Sequence, residues 1–326
     1  MLSYIIRRLL YAIPILIGVN LITFALFFIV NTPDDMARMQ LGVKRVTPEA
    51  IEKWKVERGY DRPLFLNAEA PGLQMLTRTI FFEKSARMFV GDFGHAEDGR
   101  DIAREIKQRM GPSLAIAVPT FVLGLFVTVV FALLLAFFRA TAFDFWGVVL
   151  CVAMMSISGL FYIIGGQYLI SKVFRLVPIS GFGDGLDAWR FLLLPVVVGV
   201  VSGIGASSRW YRTIFLEETS KDYVRTARAK GLSETVIFLR HLLRNALIPI
   251  LTGVVVVIPS LFMGSLLLES FFGIPGLGSY TIDAIQAQDF SVVRSMVFIG
   301  SLLYIIGLIL TDISYTLVDP RIRLES

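Results

Sequence analysis

Residues 113–138 read SLAIAVPTFVLGLFVTVVFALLLAFF, a run without one charged side chain. A hydrocarbon layer about 30 Å thick is crossed by roughly 20 apolar residues in a helix, so this run is long enough to span a bilayer. Working outward, Leu9–Val30, Phe145–Ile170, Phe191–Ser207, Ala246–Leu268 and Val292–Leu317 have the same character. The run 191–207 is the weakest, because Gly199, Gly203 and Gly205 lower its helix propensity. Pro14, Pro119, Pro195 and Pro259 fall inside these runs. Membrane helices tolerate proline where neighbours satisfy the freed carbonyl, and kinks are expected there. The fold class is therefore an all-α polytopic membrane protein with six spans.

Composition excludes the competing classes. Apolar residues make up 55% of the 326-residue chain, charged residues 17%, and the mean hydropathy is +0.71. A soluble chain has about a quarter of its residues charged. One cysteine, Cys151, excludes a disulfide framework and a thiolate zinc site, and two histidines, His95 and His241, argue against imidazole metal chemistry. The apolar run after Arg7 and Arg8 exceeds a signal-peptide core, and no small-residue cleavage site follows Val30, so it reads as a retained span.

Lys and Arg in short connections set orientation. Arg7 and Arg8 precede the first span, Arg321 and Arg323 follow the last, and the connection 209–245 holds eight basic residues against four acids. Both termini are accordingly expected inside. The region 31–112, with 14 basic and 13 acidic residues, is then outside and nearly neutral. The net charge of +5 is thus an orientation signal and no nucleic-acid footprint. The domain reading is a first span over 1–30, an outer region over 31–112, and a five-span core over 113–326 with an inner elbow at 209–245.

The outer region has soluble character. Thr47-Pro48-Glu49 predicts a capped helix through Lys55, Tyr60–Pro63 and Gly91–Gly94 predict turns, and Asp101–Met110 a charged helix. It serves either to dock an external partner or to cap the spans. In the inner connection, Ser220 predicts the cap of a helix through Lys230, with Lys221, Arg225 and Arg228 on one face. Gly231 ends that helix, and Ser233 caps a second with Val236, Leu239 and Leu243 on one side. This helix–glycine–helix elbow is either a positive anchor on anionic headgroups or a docking surface.

The residues of the elbow carry a resemblance. Asp222-Tyr223-Val224-Arg225-Thr226-Ala227-Arg228-Ala229-Lys230-Gly231-Leu232, then His241-Leu242-Leu243-Arg244-Asn245-Ala246 and Pro249, are similar to the cytoplasmic signature of ABC-transporter permeases. The form is that of the peptide/nickel importer family, first permease subunit. Arg225-Thr226-Ala227 stands where the wider superfamily has Glu-Ala-Ala, Gly231 keeps its spacing, and His241 and Arg244 replace Ile and Pro. Val177–Gly181, Glu269–Gly278 and Asp289–Val293 resemble further family segments, as do Asp312-x-x-Tyr315 and Asp319–Arg323. The family's Ser-Leu-Pro-Ser-Phe appears as Ser156-Ile157-Ser158-Gly159-Leu160, lacking the proline, which leaves the substrate class open.

The resemblance implies a permease path for peptides across a bacterial cytoplasmic membrane, shared with a second, homologous permease subunit. Two ABC ATPase subunits would bind ATP and Mg, and an extracytoplasmic binding protein would deliver substrate. Nickel, glutathione-like peptides and oligosaccharides are alternative cargoes. On this reading Asp222, Tyr223, Arg225, Thr226, Ala227, Arg228, Lys230, Gly231, Leu232 and His241 couple to the ATPases. This chain would be a non-catalytic subunit with no cofactor of its own and lipid around it. It lacks a Gly-x-x-x-x-Gly-Lys-Ser/Thr loop for phosphates, and Gly203-Ile204-Gly205 and Gly276-Leu277-Gly278 are lone glycine pairs.

Polar residues in hydrocarbon are costly and mark function by default. Glu269 and Asp312, with Met154, Met155 and Phe161, are candidates for the path or the subunit interface, and Asn20 and Gln167 share the ambiguity. A secondary transporter or channel would instead show inverted repeats and a midplane ionisable pair, and the sequence shows neither.

Overall fold

In the computed structural model, residues 2–42, 46–68, 70–183 and 185–318 are described. Asp319–Arg323, quoted above for the resemblance, lies outside them. Among the described residues there is no strand, only an isolated bridge between His95 and Asp101.

Helix α1 (Leu2–Ala25) continues through a π-helical turn, Leu26–Val30. Two short helices follow, α2 (Pro33–Leu41) and α3 (Pro48–Arg58). Then come α4 (Ile102–Phe137), α5 (Ala142–Ser156), α6 (Gly159–Gly166) and α7 (Ala188–Thr219). Next are α8 (Asp222–Ala229), α9 (Leu243–Val257), α10 (Leu266–Phe272), α11 (Leu277–Gln286) and α12 (Phe290–Val318). Five stretches are long and apolar enough to cross a membrane: Ile6–Val30, Ile102–Phe137, Ala188–Thr219, Glu234–Phe272 and Phe290–Ser314.

The third expected span is broken. Ala142–Ser156 and Gly159–Val173 meet at 90°, and counted as one span they make the sixth. Ile157 and Ser158 are both extended, which ends α5. Tyr162 Oη donates to the Met154 carbonyl at 2.8 Å, satisfying an acceptor freed by the break.

Two other boundaries differ from the expected ones. The charged pattern 101–110 and the run 113–138 form a single helix, α4, that continues through Pro112. Asp101 Oδ1 accepts the Arg104 N–H at 2.8 Å at its start. The fourth span likewise runs on past Ser207 to Thr219, so Arg209 and Arg212 are helical rather than part of a loop. In both places a change from apolar to charged composition marks where the helix changes surroundings, while its backbone continues. Two glycines of α7 have a packing role: a Cβ at Gly199 would stand 2.7 Å from Thr120 Cγ2 of α4, and one at Gly205 2.6 Å from the Cys151 carbonyl of α5.

The chain divides into two compact units. The first comprises residues up to Arg109 together with Tyr280–Ile309. Its core is aromatic: Phe24 and Phe28 at the end of α1 meet Trp54, Tyr60, Ile80 and Phe81. Phe24 packs edge-on against Phe81 at 5.1 Å, and Phe28 against Tyr60 at 5.3 Å. Thr32 caps α2 in a reciprocal box with Asp35, and Thr47 caps α3 by accepting from Ala50 N–H at 3.3 Å. Helix α3 extends to Arg58, three residues beyond the expected Lys55, and ends on left-handed Gly59. Buried Asn20 donates Nδ2 to the Ser85 carbonyl at 3.4 Å.

The second unit comprises Met110–Ser279 with the end of α12 from Leu310. One of its cores joins α4, α7 and α9 through Ala132, Ala136, Phe215, Phe238, Leu242, Ala246 and Ile250. Another holds Ile116, Ile163, Leu194, Val198 and Phe272.

Candidate coupling elbow

Helix α8 begins from an extended Lys221, whose own side chain makes no cap. The expected cap, Ser220, instead turns its Oγ back to the Glu217 carbonyl at 2.7 Å, because Ser220 is still in the helical region and closes α7. Val224 and Ala227 are buried against Ile237 with Tyr223 beside them. Asp222, Arg225, Thr226, Arg228, Lys230 and Leu232 are exposed. Ala227 therefore faces the chain itself, and its place is in the packing between the two arms of the elbow.

Gly231 turns the chain at φ +75°, donating its N–H to the Arg228 carbonyl at 2.9 Å. Nothing lies within 4 Å of where its Cβ would be, so the left-handed backbone alone demands glycine here. Arg228 then reaches across the turn to Glu234, Nε to Oε1 at 2.7 Å and Nη2 to Oε2 at 3.1 Å. Asp222 and Arg225 also pair, at 3.4 Å, but both are exposed. Tyr223 Oη donates to Glu218 Oε2 at 2.6 Å, tying α8 back to α7. Burial and this bond push the phenol up to about 12.

The second arm departs from the expected pattern. It starts at Glu234, with Ser233 extended before it but making no side-chain cap, and passes through a π-helical turn, Ile237–Leu242, into α9. The wider turn changes the facing residues. Ile237, Phe238 and Leu242 are buried, while Val236 and Leu239, expected on the packed side, are exposed. His241 is half-buried on this turn. Phe238 meets Phe137 of α4 edge-on at 5.1 Å. The elbow is thereby seated on α4, α7 and α9.

One brace near the elbow was not anticipated. Arg212 donates Nε to Asp144 Oδ1 at 2.8 Å and Nη2 to Oδ2 at 2.7 Å, and Oδ2 also accepts from Ala140 N–H at 3.1 Å. Asp144 is buried at the start of α5. A lone acid at the head of an apolar run was the available signal; its partner lies 68 positions away in sequence.

The remaining candidates are dispersed. Met155 and Phe161 are exposed and Met154 half-buried, and Arg209 Nη1 lies 3.7 Å from Met155 Sδ. Asp312 is half-buried near the end of α12. Gln167 donates Nε2 to the carbonyls of Ile179 and Phe271 at 3.2 and 3.0 Å. Glu269 is buried inside its own loop: it accepts N–H groups from Ser265 at 3.2 Å, Gly278 at 2.6 Å and Ser279 at 3.1 Å. Side chains at Gly264 or Gly276 would overlap its carboxylate, and a Cβ at Gly278 would stand 2.6 Å from the Ser265 carbonyl. The glycine pair 276/278 is thus a backbone wrap around a carboxylate. Gly181 N–H donates to the Phe272 carbonyl at 2.7 Å, which joins the segments 177–181 and 269–278.

Apolar helices of spanning length and a bent pair define a multi-pass, all-α membrane protein. Residues 113–324 match the family described as binding-protein-dependent transport system inner membrane component, and residues 1–86 match the N-terminal region of such membrane components. The chain belongs to this family. It is 30% identical, over the whole of both chains, to a Brucella abortus (strain 2308) protein named as a peptide transport system permease. It is 29% identical to the dipeptide transport system permease protein DppB of Escherichia coli (strain K12) and to the di/tripeptide transport system permease protein DppB of Pseudomonas aeruginosa (strain UCBPP-PA14). Each of these two alignments covers 99% of both chains.

Proposed function

We propose that the chain is one of two permease subunits of an ATP-driven importer for short peptides, with both termini in the cytoplasm. The elbow supports this reading best. Its outer face offers Asp222, Arg225, Thr226, Arg228 and Lys230 to a partner, while its inner face is packed into the chain. Two ATPase subunits bind and hydrolyse ATP with Mg, and this chain carries out no chemistry itself. Closure of the ATPases pushes on α8. The clasp at Gly231 passes the displacement to the π-helical arm, and Phe238 and Leu242 pass it to α4, α7 and α9. An external binding protein supplies the peptide, and a second permease completes the path.

Co-purification of the intact complex tests this reading. Arg225→Glu, on the exposed face, is expected to strip the ATPases from the membrane subunits and abolish peptide uptake while the chain still inserts. A chain that transports peptide alone, or keeps its ATPases with Arg225→Glu and Lys230→Glu together, overturns it.

A further inference from the structure

The first unit holds a cavity of about 480 Å³ lined by four carboxylates and four cations that are unevenly paired. Every carboxylate on its wall already has an arginine. Glu97 receives Arg58 at 2.5 Å, Glu57 lies 4.0 Å from the same guanidinium, Glu83 is taken by Arg62, and Asp92 by Arg87 at 3.6 Å. Two cations on the same wall, Lys84 and Arg294, have no carboxylate within ion-pair distance among the described residues. Arg294 is 3% exposed. It rests on the Phe28 ring at 4.7 Å and, among the described residues, donates to the carbonyls of Phe290 at 3.2 Å and Lys84 at 3.3 Å. A guanidinium has five donors, so donors remain for the cavity. Lys84 stands over the Tyr60 ring at 5.3 Å. Buried cations are ordinarily paired, since an unpaired charge in a low-dielectric site is costly.

We propose that this cavity is an anion-receiving site in which Arg294 and Lys84 together bind the carboxylate of a small ligand. The volume lies within the range of small-molecule sites, and a planar guanidinium beside an ammonium matches a two-oxygen acceptor. Burial, followed by the neighbouring Arg294 charge, holds the Lys84 ammonium below its ordinary range. A bound carboxylate relieves both effects. The site goes beyond the transport role, because residues 57–99 build it together with Ser291 and Arg294 at the start of α12, all outside the elbow.

The test uses the full chain in lipid nanodiscs and reads reductive methylation of Lys84 by mass spectrometry. Acetate and the dipeptide Ala-Ala are expected to protect Lys84, whereas the C-terminal amide of Ala-Ala, which lacks the carboxylate, protects about tenfold less, the loss of a charge-assisted hydrogen bond. Titration calorimetry with Lys84→Met is expected to show a similar loss for acetate, and it keeps the test decisive should Arg294→Gln fail to fold. Protection by acetate alone identifies a free small acid as the source of the carboxylate, and protection by Ala-Ala a peptide terminus. No protection by either, or unchanged affinity in Lys84→Met, overturns the site. Peptide uptake by the assembled transporter is measured in parallel, so a failed site is distinguished from a wrong cargo.

Discussion

Arg228 clasps Glu234 with both arms of its guanidinium, at 2.7 and 3.1 Å, so the two arms of the elbow are joined across the left-handed Gly231. Both side chains are about half exposed, and exposed pairs contribute roughly 0–1 kcal/mol. The clasp therefore sets an angle more than it adds stability. Glu234→Gln is expected to leave thermal stability in detergent almost unchanged while lowering ATP-coupled uptake. The charge-swapped pair Arg228→Glu with Glu234→Arg is expected to recover part of that uptake. Equal uptake by wild type and Glu234→Gln would remove the clasp from the coupling route.

Gly231 separates backbone strain from steric contact, because its surroundings are open. A non-glycine residue in the left-handed region costs on the order of 1–3 kcal/mol, least for Asn. Gly231→Asn is expected to retain most uptake and Gly231→Val to lose it, with both chains inserting normally. If the two variants behave alike, the positive φ is not what the elbow needs.

How far the chain is legible before folding depends on which interactions are local. Hydropathy locates the spans, and Gly231 announces the elbow turn, since both signals lie within a few residues. The ends of α4 and α7 are not visible this way: Ile102–Met110 and Arg209–Thr219 are helical although their composition has already turned polar. The packed face of the second arm is hidden too, because a π-helical turn shifts Phe238 inward and Leu239 outward, and a 3.6-residue period does not contain that turn. Pairs such as Arg212 with Asp144 are set by packing of distant helices, and nothing in a local window connects them.

That buried pair gives the largest expected stability effect. Removing one partner of a buried ion pair leaves an uncompensated charge and costs about 3–5 kcal/mol, whereas replacing both by apolar residues is often neutral. Arg212 is partly exposed at 22%, so the lower end applies. Asp144→Leu alone is expected to lower the melting temperature of the purified chain, and Asp144→Leu with Arg212→Met to restore most of it. A double variant no better than the single one would show that the pair does more than satisfy its own charges.

Glu269 tests the backbone wrap in the same unit. Its carboxylate accepts three N–H groups, and Glu269→Gln would aim amide hydrogens at some of them, leaving buried donors unsatisfied at about 1–3 kcal/mol. Faster proteolysis within residues 264–279 is the expected result, with Gly276→Ala giving the same pattern because its methyl overlaps the carboxylate. Protection unchanged in both would mean the loop is held by its other contacts, such as Gly181 N–H to Phe272.

Tyr223 gives the elbow an alkaline limit. Its phenol is pushed up to about 12, first by burial and then by donating to the Glu218 carboxylate. An unfolded tyrosine titrates near about 10. The folded form thus holds its proton more tightly, so this group's contribution is fully present below about pH 10 and is lost as pH rises through about 12. Phenolate absorbance follows this directly. The chain has 10 tyrosines, and Tyr280 is also pushed up to about 12, so the wild-type curve alone does not isolate Tyr223. Subtracting the curve of Tyr223→Phe does. The difference is expected to titrate near 12 with the elbow seated, and a midpoint near 10 would mean that the Tyr223–Glu218 bond does not hold α8 to α7.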